Sequence, residues 1–454
     1  MKRVWLVLPD PFSIRIFFET GIVDSLRARL DDRLAIICVT APDLLSQWAD
    51  RVDGLPVHHR EELRAPAHFG ERVAGMVDRW LDRQIGYFPL AIRLNERFGF
   101  HTERMQPGHD NFMLDSARVG PLPRWSIVEN WMRRWFFSPR RHVRRVLREA
   151  LASECSALVI SNVQPQGVTP FLTAARRLSL PLVAYVFSWD HTVGKGVISP
   201  HCARYIVQNR TMEDDLRRYH DIDPSRVVVT GWPQTDVFDR RRPRADYDAL
   251  LRASHLDPAR PVVLFMGNTP TNAPYEGRLV ERLVAWWEEV ARERFQLLFR
   301  PHPRDREWEE RYSHARRREG IHLQEPSFTD LEQLTVLLQH ANVAVGNAGT
   351  VFLDALVNDR PAVCVLYDEG APPGESWAAK NILGKHYEEL VASGAFYRAE
   401  SFDEVVEGIE RALAAPDELA EARRRVVREV VGEVDGRAVD RVVDAIVGAL
   451  PRER

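Results

Sequence analysis

The sequence is short of lysine, cysteine, net charge and long apolar runs. Only four lysines (Lys2, Lys195, Lys380, Lys385) stand beside 58 arginines in 454 residues. Genomic base composition accounts for such a skew; chemically it hands cation contacts to guanidinium, which suits bidentate phosphate and carboxylate partners. The 62 basic against 65 acidic residues leave a net charge of −3, which argues against a nucleic-acid binder with a wholly basic surface. Cys38, Cys155, Cys202 and Cys364 are scattered singly, with no CxxC pair and no Cys/His cluster at zinc spacing. A reduced cytosolic chain with buried thiols and no metal site is therefore expected. No run approaches the ~18 apolar residues that span a bilayer. Val4–Leu8 ends at Pro9-Asp10, too short for a secretion signal. The expected location is cytoplasmic, soluble or peripheral at the inner face of the membrane.

What is present is an ordinary globular composition, 45% hydrophobic and 28% charged, at a length that allows two or three domains. Short apolar runs predict strands at Val4–Leu8, Leu34–Val39, Ala157–Ser161, Leu182–Phe187, Tyr205–Gln208 and Val227–Thr230. A second block follows at Val262–Met266, Phe295–Arg300, His322–Gln324, Val343–Gly346 and Ala362–Tyr367. Continuously apolar strands alternating with helical patterns such as Thr211–Tyr219 and Tyr275–Arg292 indicate parallel sheets covered on both faces, hence two doubly wound α/β domains. The charged, proline-punctuated stretch Asp239–Pro261 marks the break, giving domains at 1–240 and 241–454. Ser401–Leu450 reads as helical throughout, with a break at Gly432–Gly436.

Residues 56–150 carry no convincing strand and read as a helical insertion. Arg124–Glu149 holds eight arginines against two glutamates, with Ile127, Trp131 and Trp135 on one helix face. Ser138-Pro139 resembles the start of a second helix, with Val143, Val146, Leu147 and Ala150 as its stripe. One reading is an interfacial element on an anionic membrane; the other is a helix pair packed on the sheet.

Four turns carry chemistry. Arg300-Pro301-His302-Pro303-Arg304 follows a predicted strand, where Arg300, His302 and Arg304 could present donors to a diphosphate. Asn347-Ala348-Gly349-Thr350 ends another strand and opens a helix, whose amides would bind an anion; Asp354, one turn in, is placed to accept from ribose hydroxyls. Gly267-Asn268-Thr269 would line the same edge with its amides and hydroxyl. In the first domain, Asp190 and His191 are a candidate general base and orienting partner, with Asp10 as a competing base. The alternative for each is a plain turn or cap. No GxxxxGK[ST], GxGxxG after the first strand, GxSxG or HExxH occurs, and Asp221-Ile222-Asp223 reads as turn chemistry.

Val227–Phe238, the RPHPR turn, Phe328–Tyr367 and Asp435-Gly436-Arg437-Ala438 together resemble the CDP-glycerol glycerophosphotransferase-like and capsular-polysaccharide branch of the GT-B glycosyltransferases. The resemblance spans about residues 180–450 and leaves the insertion unmatched. It implies an α/β GT-B fold of two facing Rossmann-like domains, the second binding the nucleotide. His302 and Ala348–Thr350 would hold the diphosphate, Asp354 the ribose, and the helix start at Ser327–Leu331, with Phe328, would flank the base. The family's usual Trp-His-Gly motif is replaced here by Trp189-Asp190-His191, and its hydroxyl pair by Asn347-Ala348. Both departures favour a nucleotide-sugar donor over CDP-glycerol. The expectation is a metal-independent glycosyltransferase without cofactor, moving a sugar from a nucleotide-diphosphate donor to an acceptor hydroxyl, with no nucleic-acid partner. An epimerase of UDP-N-acetylglucosamine, a glycerophosphotransferase and an inactive nucleotide-sugar-binding protein are the alternatives.

Overall fold

The computed structural model describes residues 2–39, 42–64, 69–85, 125–163, 165–194, 196–316, 318–347, 349–372 and 387–451. The chain forms two units, residues 1–234 with 437–454, and residues 235–436.

In the first unit β1 (Arg3–Leu8), β2 (Leu34–Cys38), β3 (Val57–His59), β4 (Cys155–Ile160), β5 (Leu182–Tyr185), β6 (Arg204–Val207) and β7 (Val227–Val229) form one parallel sheet in the order β3-β2-β1-β4-β5-β6-β7. β1, β2, β4 and β5 are buried almost throughout, as strands covered on both faces must be. The longer helices are α1 (Pro11–Glu19), α2 (Ile22–Leu30), α3 (Phe69–Ile85), α4 (Trp125–Phe136), α5 (Arg145–Glu154), α6 (Pro165–Arg177) and α7 (Arg210–His220). The strand order reverses between β1 and β4, so a crevice opens past their carboxyl ends.

The second unit holds β8 (Val262–Met266), β9 (Gln296–Arg300), β10 (Ile321–Leu323), β11 (Val343–Gly346), β12 (Ala362–Val365) and β13 (Tyr397–Ala399), all parallel, in the order β10-β9-β8-β11-β12-β13. Its helices include α8 (Glu276–Trp286), α9 (Leu331–His340), α10 (Thr350–Val357) and α11 (Phe402–Ala414). Val263, Phe265, Leu297, Phe299, Val343 and Val345 form its core with Trp287 and Tyr312. Here the order reverses between β8 and β11.

All eleven expected strands are present, and two more lie at sheet edges. β3, inside the supposed strandless insertion, is a half-buried triplet paired with β2; β13 pairs with β12 at the opposite edge of the other sheet. Three-residue edge strands carry too little pattern to stand out in sequence.

The expected domain limits shift at both ends. Residues 238–242 belong with the second unit because Gln339 of α9 donates to Phe238 O (2.7 Å) and Arg240 O (3.1 Å) and accepts from Arg242 N (2.7 Å). The terminal helix α12 (Ala438–Gly448) belongs instead to the first unit. It buries Val442, Val443 and Ile446 in the β1–β2 core, and Arg441 Nε donates to Thr230 O at 2.6 Å. Ser401–Leu450 is also broken at 415–419, besides the break at Gly432–Gly436.

Ser138-Pro139 starts no helix. The chain turns through 137–144 because Arg176 and Arg177 of α6 bind the carbonyls of Phe137, Pro139 and Arg141; α5 begins only at Arg145. Asp221 and Asp223 are turn residues as expected: Asp221 closes α7 in the left-handed region, and Asp223 accepts from Ser225 N at 2.9 Å. The four cysteines are buried thiols outside any disulfide. Among the described residues no helix is long and apolar enough to cross a membrane, and no three His, Cys, Asp or Glu side chains gather as a metal site.

Candidate functional site

β9, β8 and β11 are neighbours, so the turns after them (301–304, 267–269 and 347–350) share one sheet edge, beside the switch point. Strand order thus unites three turns that are distant in sequence. What each offers a ligand depends on what its polar groups already hold.

The Gly267–Thr269 turn holds itself. Gly267 N donates to Arg300 O (2.9 Å), Asn268 N to both Glu276 carboxylate oxygens (3.1 and 2.9 Å), and Thr269 N to Asn268 Oδ1 (2.8 Å). The Thr269 hydroxyl lies 2.9 Å from that of Thr271. All three amides of the turn expected to line a phosphate site thus already have acceptors within the chain. Gly267 itself is required by packing, since a Cβ there would lie 2.0 Å from the Tyr312 hydroxyl and 3.2 Å from Pro301 Cα.

Glu276, at the start of α8, is the centre of a buried network. It accepts from Tyr312 Oη (2.5 Å) and pairs with Arg311 Nη2 (3.1 Å); Arg311 also bonds Asn268 O (3.0 Å) and the Asp305 carboxylate. Burial pushes the Glu276 carboxyl up to about 7, against the lowering pull of Arg311, Tyr312 and the Asn268 amide. Asp305 N donates to His302 O at 2.8 Å, so the network secures two of the three turns at once.

Arg300 is committed elsewhere. It is 6% exposed, and its Nη1 lies 2.6 Å from Asp330 Oδ2 and 3.1 Å from Gln324 Oε1. This buried ion pair engages Nη1 and fixes the segment leading into α9, where partly buried Phe328 lies. Arg304, by contrast, is exposed. Its amide donates to His302 Nδ1 at 3.1 Å. An accepting Nδ1 places the neutral ring's proton on Nε2, making it a donor.

In the third turn Asn347 points into the sheet, its Nδ2 donating to Val365 O at 3.1 Å. Gly346 is forced by packing, since a Cβ would lie 2.4 Å from Met266 O. Ala348 lies outside the described residues. Gly349 caps α10 without a side-chain bond, and within the described chain the amides of Gly349, Thr350 and Val351 have no acceptor. These open amides sit at the positive end of the α10 dipole. Asp354 is buried on the same helix.

In the first unit Asp10 is fully occupied as the cap of α1. It accepts from Phe12 N and Ser13 N (3.0 Å each), Ser13 Oγ (2.7 Å) and Asn162 Nδ2 (2.8 Å), tying the ends of β1 and β4 together. With both oxygens engaged, it is poorly placed to take a proton. Asp190 and His191 lie in the loop after β5, their side chains 23% and 8% exposed, with His191 Nε2 3.9 Å from Asp190 Oδ1. That gap is beyond hydrogen-bond length.

Sequence reasoning missed Glu276, Arg311, Asp305 and Asp330. They follow their turns at irregular spacings, and only the fold brings them beneath the edge.

Two parallel Rossmann-like sheets, each with a switch point, define the GT-B fold class. The profile of the CDP-glycerol:poly(glycerophosphate) glycerophosphotransferase family matches residues 198–448, and the chain belongs to that family of transferases. Solved structures share the fold at low identity. UDP-GlcNAc 2-epimerase from Neisseria meningitidis, bound to UDP-GlcNAc, is 11% identical with a TM-score of 0.56, covering 99% of this chain and 100% of its own. S. aureus MnaA, solved with UDP, is 11% identical with a TM-score of 0.54, covering 100% and 99%. A glycosyltransferase from Rickettsia africae is 10% identical with a TM-score of 0.51, covering 98% of each chain. No curated protein matches the chain in sequence.

Proposed function

We propose that this chain is a metal-independent glycosyltransferase, without resident cofactor, that moves a sugar from a nucleotide diphosphate to an acceptor hydroxyl. The open amides of Gly349–Val351 at the start of α10, beside the His302 turn at the switch point, carry this reading. Backbone amides and His302 Nε2–H would stabilise the charge that builds on the departing diphosphate. Arg304 supplies an exposed guanidinium nearby, and Asp354 is assigned to the ribose. Asp190 or His191 would take the acceptor proton. The neighbours solved with UDP-GlcNAc or UDP make a uridine donor the first to try.

The family match supports a second reading, transfer of glycerol phosphate from CDP-glycerol. Asn347 weighs against it, because its amide is turned into the sheet at a position where the resemblance leads one to expect a hydroxyl.

A thermal-shift panel of nucleotide sugars and CDP-glycerol tests binding. Ligand at about 100 times its dissociation constant adds about 2.7 kcal/mol. Product analysis then separates the reactions, because sugar transfer releases a nucleoside diphosphate and glycerophosphate transfer releases CMP. Isomerised donor without acceptor would establish the epimerase instead.

A peripheral contact with anionic membrane completes the proposal, through the expected stretch 124–149 together with α3. Arg133 and Arg141 of that stretch are buried, whereas α3 exposes Phe69 (80%), Val73, Met76 (61%) and Val77 along one face, and α4 exposes Trp131 (65%). Co-sedimentation with phosphatidylglycerol vesicles, lost in Phe69→Ser/Met76→Ser, is the expected result; equal pelleting with and without vesicles refutes it.

A further inference from the structure

The loop that carries Asp190 and His191 is held from behind by α7. His220, the last residue of that helix, is fully buried, and both of its ring nitrogens meet the loop. Nδ1 accepts from Ile198 N at 3.1 Å, which leaves the neutral ring's proton on Nε2, 2.7 Å from Thr192 O. One imidazole therefore bridges residues 192 and 198. Asp215, on the same helix, accepts from Thr192 Oγ1 at 2.7 Å, and Gln208 Nε2 donates to Phe187 O, also at 2.7 Å. The loop is thus pinned on both sides of the Asp190–His191 pair.

A second contact reaches this assembly from α4, in the arginine-rich stretch 124–149. Arg133 of α4 is 6% exposed; its Nη1 donates to Tyr219 O at 3.0 Å and its Nη2 to His220 O at 2.7 Å. These are the final carbonyls of α7, at the negative end of its dipole, and one guanidinium fork satisfies both. The side chain is buried at a cost that only paired acceptors offset.

We propose that Arg133 and His220 are positioning residues for the acceptor side of the reaction. Arg133 fixes the end of α7, His220 at that end fixes the loop, and the loop sets Asp190 and His191. This rests on the reading of Asp190–His191 as the base, and it makes α4 and the base one mechanical unit.

Hydrogen exchange and steady-state kinetics on the full chain test it separately. Amides of residues 187–198 should exchange about tenfold faster in Arg133→Met and in His220→Asn, which loses the donor to Thr192, with α10 unchanged. In the same variants kcat for transfer should fall about 10- to 100-fold while KM for the donor holds. His220→Gln, which keeps a donor near Nε2, and Arg133→Lys should recover most of the rate. Their recovery also separates positioning from loss of fold. Unchanged exchange overturns the mechanical link. Faster exchange with wild-type kcat overturns the positioning role, provided that Asp190→Asn or His191→Ala abolishes transfer. If both of those variants transfer normally, the base reading fails, and exchange alone still decides whether α4 and α7 hold the loop.

Discussion

At the carboxyl edge of the second sheet the charged side chains are tied into buried pairs, whereas at that of the first Asp190 and the buried His191 share one loop, 3.9 Å apart. Arg300, Glu276, Arg311 and Asp305 are all buried in pairs or networks, and the amides of Gly349–Val351 at the start of α10 stay without an acceptor in the described chain. In the first unit Asp10 is likewise consumed, but Asp190 and His191 are carried on a loop whose support comes from His220 and Asp215 behind it. The contrast suits the two tasks proposed for these edges. A diphosphate is held well by fixed dipoles that need no reorganisation, while proton transfer needs a titratable group. A charge in a motif can therefore hold the turn or touch the ligand, and its partners decide which.

The strongest way to break this comparison is at Arg300. Arg300→Met strands the Asp330 carboxylate in a buried position and should cost about 3–5 kcal/mol in urea unfolding. The double variant Arg300→Met/Asp330→Leu should recover most of that loss. Wild-type stability together with lost donor binding would return Arg300 to the phosphate.

His302 should behave in the opposite way. His302→Ala removes one aimed donor and should lower transfer about 10²- to 10³-fold, with unfolding near wild type because the ring is only partly buried. Full activity in this variant would remove the imidazole from the donor site.

The buried network sharpens the contrast through pH. Burial raises the folded-state carboxyl of Glu276 from 4.5 to about 7. The folded state therefore favours the protonated form, so this group's stabilisation is complete below about 4.5 and declines as pH rises through about 7. Urea unfolding across that range should show wild type losing stability relative to Glu276→Gln, which does not titrate. A constant difference would mean that the carboxyl stays ionised throughout. Asp305→Asn is the companion measurement, since burial raises that group as well.

Much of this was legible in sequence. The apolar runs at Val4–Leu8, Val262–Met266 and Val343–Gly346 announced parallel strands because both faces are covered. The RPHPR and Asn347–Thr350 turns stand out because proline, glycine and small residues punctuate strand ends. What remained hidden depends on partners far along the chain. Nothing near Arg300 signals Asp330, 30 residues on, and Arg133 lies 87 residues from the His220 carbonyl that it holds. The placement of α12 was hidden similarly, since its apolar stripe would pack against either sheet.

The smallest effect belongs to Asp10, and it closes the comparison within the first unit. If Asp10 is a cap, Asp10→Ala should cost about 1 kcal/mol of stability, and Asp10→Asn should restore much of it, because an amide oxygen still accepts from Phe12 N and Ser13 N. Transfer should stay near wild type in both. Asp190→Asn, with little expected change in unfolding, should instead lower transfer about 10²- to 10⁴-fold if it is the base. The discriminating outcome is the isosteric pair measured together. Asp10→Asn keeps shape and cap but cannot accept a proton, so a large loss of turnover with normal stability would move the base from Asp190 to the end of β1.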